Sequence, residues 1–223
     1  MGWTLDFTRT AGREPPKTKV SSSRSEPARS CHRADLPDRG RACDAWSMTN
    51  VRVVNASVAD CRAVAQIHVD AWRVAYEGIV PSDYLAALSV EQRETMWRTA
   101  VERGTPRVLV ASSGRPVVGW VAYGRCRDEG AGPEVGEIWA IYVDPAAWST
   151  GIGRALWEAA RRDLQEQGYR TVTLWVIRDN ARAIRFYQLA GFFIEAESAK
   201  EFDLGGAQIS EVRLVARIAD ASA

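Results

Sequence analysis

The run from Glu137 to Trp157 reads as a strand, a tight turn and the start of a helix. Apolar and β-branched residues through Val143 form the strand, Asp144-Pro145 ends it, and Leu156, Ala160 and Leu164 carry helical spacing just beyond Gly151 and Gly153. A chain that turns from strand into helix in this way leaves the first helical N–H groups without internal partners. They lie at the positive end of the helix dipole, so the junction favours an anion. Gly151 and Gly153 have no Cβ and let a pyrophosphate approach the backbone closely. By itself the turn is a helix entry suited to any phosphate ligand. A dinucleotide or Walker-type site is disfavoured, because no third glycine follows at the fingerprint spacing and no Gly-Lys-Ser/Thr follows either.

The rest of the chain supplies a frame for that junction. Val51 to Val54 is a short strand, and 60–76 is a helix with apolar spacing at Val64, Ile67, Ala71 and Val74. Pro81 opens a second helix toward Leu88, and a further helix covers 90–102. Strands follow at 107–111 and 116–123, with Ser113-Gly114 as the turn between them, and at 134–143. The helix over 151–167 ends at Gly168, and 171–177 is a strand dense in β-branched residues. A helix over 180–189 closes at Gly191, and strands at 192–196 and 209–217 end the chain. The order β-α-α-β-β-β-α-β-α-β-β implies an α/β (α+β) domain, with a mixed, mostly antiparallel sheet and helices on both faces.

Residues 1–47 are rich in Arg, Ser, Pro, Asp and Glu and show no periodic apolar face, so they are expected to be a disordered extension before a domain at 48–223. An alternative is that Met48 is the true start and the extension an overlong gene reading. A formal net charge of +1 gives no global attraction for nucleic acid or an anionic membrane surface, and no apolar run reaches 18 residues. The four cysteines, Cys31, Cys43, Cys61 and Cys126, have no CxxC spacing. With only His32 and His68 as histidines, neither a disulfide framework nor a metal site is expected, and a reducing cytoplasm is favoured.

Two motifs together resemble a known superfamily. Trp148-x-x-Gly151-x-Gly153, after a strand ending in Val-x-Pro and before Arg154-Ala-Leu, is similar to the Gln/Arg-x-x-Gly-x-Gly/Ala signature of the GNAT superfamily of acetyl-CoA-dependent N-acetyltransferases. Asn180-Ala-Arg-Ala-Ile-Arg-Phe186-Tyr187, followed by Gly191-Phe192, resembles that superfamily's Asn-x-x-Ala-x-x-Phe-Tyr motif. The departure is Trp148, which stands where the superfamily has Gln or Arg.

The resemblance implies acetyl-CoA as co-substrate and no metal. The cofactor would be held by Ile141, Tyr142 and Val143 on the strand, by Ser149, Thr150, Gly151, Ile152, Gly153 and Arg154 in the turn, and by Asn180, which alternatively only caps its helix. A backbone N–H near 141–143 would polarise the thioester carbonyl. Glu137 matches the position of a general base and Tyr187 that of the acid beside the departing thiolate; an ammonium must lose a proton before it attacks a thioester. As alternatives, Glu137 is a solvated strand-end residue with Glu134 as its nearest substitute, and Tyr187 only packs its ring.

The stretch from His68 to Leu85 is loosely similar to polyamine acetyltransferases of the PaiA type. That similarity makes Trp72, Tyr76, Glu77, Asp83 and Tyr84 candidates for lining the acceptor pocket. The competing reading is core packing for the aromatics and His68, solvent for the acids, and sheet packing for Trp120, Trp139 and Trp175. The expected activity is acetyl transfer to a primary amine of a small molecule or peptide by direct attack, without nucleic acid or membrane. The alternative is a cofactor-binding module without catalysis. Apolar alternation over 209–217 offers an edge through which a homodimer could form.

Overall fold

The protein is described here by a computed structural model that covers residues 51–114 and 116–218. The expected extension over 1–47 and the Met48 boundary lie outside the described residues. Strands β1 (Val51–Asn55), β2 (Arg107–Ser113), β3 (Val117–Arg125), β4 (Val135–Val143), β5 (Thr171–Ile177), β6 (Phe193–Ile194), β7 (Lys200–Leu204) and β8 (Ala207–Arg217) form one sheet. Its order is β1-β2-β3-β4-β5-β8-β6, with β7 also paired to β8. All pairings are antiparallel except β4 with β5. The helices are α1 (Cys61–Ala75), α2 (Ser82–Ala86), α3 (Val90–Arg103), α4 (Ile152–Glu166) and α5 (Ala181–Leu189).

Alternation along the strands assigns the two faces. Val121 and Tyr123 of β3 and Ile138 of β4 pack with Leu156, Ala160 and Leu164 of α4, which present one apolar stripe at helical spacing. Trp120 of β3 and Tyr142 of β4 point the other way, into the rings of His68 and Trp72 on α1 and Trp97 on α3. A second apolar cluster joins Trp72, Tyr76, Val80 and Leu85 to Ile177, Leu204 and Ile209, so the segment after α1 is pinned to the β7–β8 hairpin. Ser89 caps α3 by accepting from the Gln92 N–H, and Gly104 closes it in the left-handed conformation.

The last strands differ from the sequence reading. Residues 192–196 shrink to the two-residue β6, and β7 is an additional strand that Gly205 and Gly206, both at positive φ, fold back onto β8. Strand β8 lies inside the sheet, with β5 on one side and β6 and β7 on the other. It is therefore not the free edge that its apolar alternation offered for a homodimer.

Candidate active site

Strands β4 and β5 run together only over Val135↔Thr171, Gly136↔Val172 and Glu137↔Thr173. Beyond Glu137, β4 stays with β3 to Val143 while β5 stays with β8 to Ile177, so the two diverge. A bulge assists this: Ala122 faces Ala140 but Tyr123 faces Ile138, which leaves Trp139 as the extra residue of β4. The split leaves the β5-facing backbone groups of β4 without a strand partner and opens a cavity of about 540 Å³. Its walls include Ile141, Tyr142 and Val143 of β4, Trp175 and Val176 of β5, and Asn180, Phe186 and Tyr187 around α5.

One end of the cavity is the turn read from sequence. Asp144 caps the short 3-10 turn Pro145–Ala147, the Thr150 hydroxyl donates to the Ala147 carbonyl at 2.7 Å, and Gly151 enters α4 at φ +88°. Ser149, a non-glycine residue, also sits at φ +64°, a local cost that only surrounding structure maintains. A Cβ on Gly153 would stand 3.3 Å from the Phe186 ring, so the close approach of α4 to α5 depends on glycine here. Among the described residues three arginines, Arg154, Arg182 and Arg185, line the cavity, and no Asp or Glu does.

Trp148, the residue that departs from the superfamily pattern, has a place in this turn. Its indole N–H donates to the Val143 carbonyl at 2.8 Å, tying the turn to the strand end. The Arg182 guanidinium lies 4.3 Å from its ring centroid and donates to the Ser149 hydroxyl at 3.1 Å. A cation is thus brought to the turn by stacking on position 148.

The other end is aromatic. Trp72 donates from its indole to the Tyr142 hydroxyl at 2.8 Å, and the Tyr76 hydroxyl lies near the same group. Tyr187 faces the cavity; burial, and then the nearby Tyr142, push its hydroxyl far above the usual tyrosine range, which keeps it protonated. Asn180 accepts from the Ala183 N–H, capping α5 as well as lining the cavity.

Not every candidate belongs to this site. Glu137 is 2% exposed and does not line the cavity. Its carboxylate accepts from the Arg127 backbone N–H at 2.8 Å and from the Arg127 guanidinium, so it is neither solvated nor free to meet an amine. Glu134 is exposed and also off the cavity wall. Thr150 and Ile152 shape the turn without lining the cavity, the latter as a core side chain.

Of the acceptor candidates only Tyr76 lines the cavity; Trp72 stands behind it, Tyr84 packs between Trp72 and Gly205, and Glu77 and Asp83 are exposed and away from it. Trp139 and Trp175, expected to pack within the sheet, line the cavity because the two strands that carry them separate; Trp120 is a core residue as expected. Arg182 and Arg185 were missed in the sequence. Their signal was present, as two basic residues three apart in the first turns of the helix opened by Asn180.

The sequence pattern of the Acetyltransferase (GNAT) family matches residues 63–192, more than half of the chain. The chain belongs to the GNAT acetyltransferase family. It is 33% identical over 165 residues to the uncharacterized N-acetyltransferase YuaI of Bacillus subtilis, covering 74% of this chain and 91% of YuaI. The fold is similar to that of the PaiA N-acetyltransferase from Thermoplasma acidophilum in complex with coenzyme A, with TM-score 0.62, 18% identity, and coverage of 75% of this chain and 99% of that one. A second similar fold is yncA, a putative acetyltransferase of Salmonella typhimurium with acetyl-CoA, with TM-score 0.60, 20% identity, and coverage of 78% and 96%. The chain is thus an N-acetyltransferase of the GNAT family. Among the described residues no group of His, Cys, Asp or Glu could hold a metal ion, and no helix is long and apolar enough to cross a membrane.

Proposed function

We propose that this GNAT protein transfers the acetyl group of acetyl-CoA to a primary amine of a small molecule or peptide by direct attack in a ternary complex. The observation that carries this reading is the separation of β4 from β5 beyond Glu137, which gives a slot with an arginine-lined turn at one end and hydroxyl-bearing aromatics at the other. The fit to CoA rests on residues of this chain. The first N–H groups of α4 and the cations of Arg154 and Arg182 suit a pyrophosphate, and unpaired backbone groups of β4 over 141–143 suit an amide-bearing arm.

Acetyl-CoA supplies an activated acyl group whose carbonyl carbon accepts the amine. A β4 backbone N–H near 141–143 polarises that carbonyl, and Tyr187 donates its proton to the departing thiolate. No carboxylate lines the cavity among the described residues, so the amine's proton passes to water there. Glu137 supports the site by holding Arg127, whose guanidinium lies 4.3 Å from the Trp139 ring centroid at the cavity wall. The two described cysteines, Cys61 and Cys126, are buried free thiols, which suits the reducing cytoplasm we assign.

The test is release of free thiol from acetyl-CoA across polyamines, amino acids, aminoglycosides and peptide N-termini, with CoA binding measured by calorimetry in parallel. Turnover with at least one amine is expected. CoA binding without turnover on any of them would overturn the transfer reading, and no CoA binding would overturn the site assignment.

A further inference from the structure

Behind the aromatic end of the cavity lies a cluster in which hydrogen-bond donors outnumber acceptors. Arg93 of α3 is 9% exposed, yet no carboxylate partners its guanidinium among the described residues. It is close enough for its charge to act on His68, Tyr84 and Tyr142, although no well-formed hydrogen bond joins it to the Tyr84 hydroxyl. Taking two charges out of water is costly even when they are paired; a buried guanidinium with no counter-ion is the more expensive case.

The neighbours sharpen the chemistry. His68 is 1% exposed and its ring stacks on Tyr142 at 5.2 Å. Its Nδ1 accepts from the Trp97 indole N–H at 3.3 Å, and an indole nitrogen only donates. Nδ1 therefore carries no proton, and the neutral ring must carry it on Nε2. That Nε2–H has no partner among the described residues, and neither do the Trp120 indole N–H and the Tyr84 hydroxyl. Trp120 lies 5.7 Å from the His68 ring centre. Burial, and then Arg93, hold the imidazole well below its ordinary pKa, in keeping with a neutral ring.

The three unpartnered groups are donors, Nε2–H, an indole N–H and a hydroxyl, and the guanidinium beside them is a further donor without a counter-ion. A water has two lone pairs to offer them, whereas a carboxylate has about four. We propose that Arg93, His68 Nε2–H, Trp120 Nε1–H and the Tyr84 hydroxyl form a receptor for a carboxylate, reached past Tyr142 from the cavity. The carboxylate comes either from the acyl acceptor itself, which would then carry both an amine and a carboxylate, or from a small free anion that sets the position of Tyr142. The first source rests on the acetyl-transfer reading; the second does not.

The experiment uses the full chain saturated with CoA, whose own binding is measured separately. Formate is titrated against tryptophan fluorescence, with formamide as its neutral counterpart at equal ionic strength. Acetyl transfer is compared between an amino acid and its amide. A saturable response to formate but not to formamide is expected, weakened at least about tenfold in Arg93→Met, since hydrogen bonds to charged groups are worth ~1.5–3 kcal/mol. Arg93→Lys, which keeps the charge, is expected to retain part of the response.

Preference for the amino acid over its amide by about tenfold or more in kcat/KM, lost in Arg93→Met, assigns the carboxylate to the acceptor. A formate response without that preference assigns it to a free anion. The wild-type arms decide even if both variants fail to fold. Absence of both effects in protein that binds CoA would overturn the proposal and leave ordered water as the partner of these donors. Absence of CoA binding would instead refute the cofactor reading.

Discussion

The two ends of the cavity are built on opposite plans. At the α4 turn, residues adjacent in sequence do the work: Trp148, Ser149, Gly151, Gly153 and Arg154 lie within seven positions, and only Arg182 and Arg185 come from elsewhere. At the aromatic end, α1 supplies His68 and Trp72, α3 supplies Arg93 and Trp97, and the strands supply Trp120 and Tyr142. The first plan presents backbone N–H groups and surface cations to a ligand whose phosphate chemistry is fixed. The second is a buried arrangement in which a substitution should alter stability and, in the acetyl-transfer reading we propose, acceptor choice. Within one family, the donor end should therefore tolerate changes at individual side chains, while the acceptor end should not.

The largest expected effect lies where the strands part. Glu137→Ala removes the 2%-exposed carboxylate that holds Arg127 and should cost about 3 kcal/mol of stability in chemical denaturation, because breaking a buried pair strands its partner. Glu137→Gln separates support from chemistry. Turnover per folded molecule should stay within about threefold of wild type, whereas a general base would lose about 10²-fold or more.

Next comes Tyr187→Phe, with an expected loss of at least about 10²-fold in kcat and CoA affinity unchanged by calorimetry. Equal loss of affinity would mean that the ring only shapes the pocket. Arg182→Ala should weaken CoA about tenfold, and less at high salt, with kcat at saturation retained. If Trp148→Ala does the same, the stacked arginine stands in for the Gln/Arg side chain found elsewhere in the family.

The contrast between the ends also explains what was legible in the sequence. Gly151, Gly153 and Asn180 were readable because turn geometry and capping are local: a left-handed helix entry requires glycine, and an N-cap favours Asn. Tyr187 came with the motif that Asn180 opens. Trp139 and Trp175 read as sheet packing because a strand's own pattern does not record where its neighbour departs. Glu137 read as available because its partner, Arg127, sits in the connection between β3 and β4, where no periodicity marks it. Strand β7, with the polar residues Lys200, Glu201 and Asp203, lacks an apolar face strong enough to announce itself, yet together with β6 it removes β8 from the edge. His68 was expected to be a satisfied, partly buried histidine. It is in the core, but only one of its nitrogens is satisfied.

That half-satisfied ring gives the smallest effect, measurable in stability rather than activity. Folding holds the His68 pKa well below its ordinary value, through burial first and Arg93 second, so the folded protein keeps the ring neutral where the unfolded chain begins to bind a proton. Below the unfolded-state value of about 6.5 the unfolded chain binds more protons, and stability falls as the pH falls. The contribution is fully present above that value. It should decline by about 1 kcal/mol between pH 7.5 and 6, on a slope that approaches ~1.4 kcal/mol per pH unit below the unfolded pKa. His68→Gln, whose amide oxygen still accepts from the Trp97 indole, should lack this slope, so the difference between the two proteins isolates the buried ring from every other titrating group, His32 included. A carboxylate seated beside Arg93 would offset the repulsion felt by a protonated ring. Formate should therefore flatten the wild-type slope and leave that of His68→Gln unchanged; an identical slope with and without formate would mean that the anion, if bound at all, sits elsewhere.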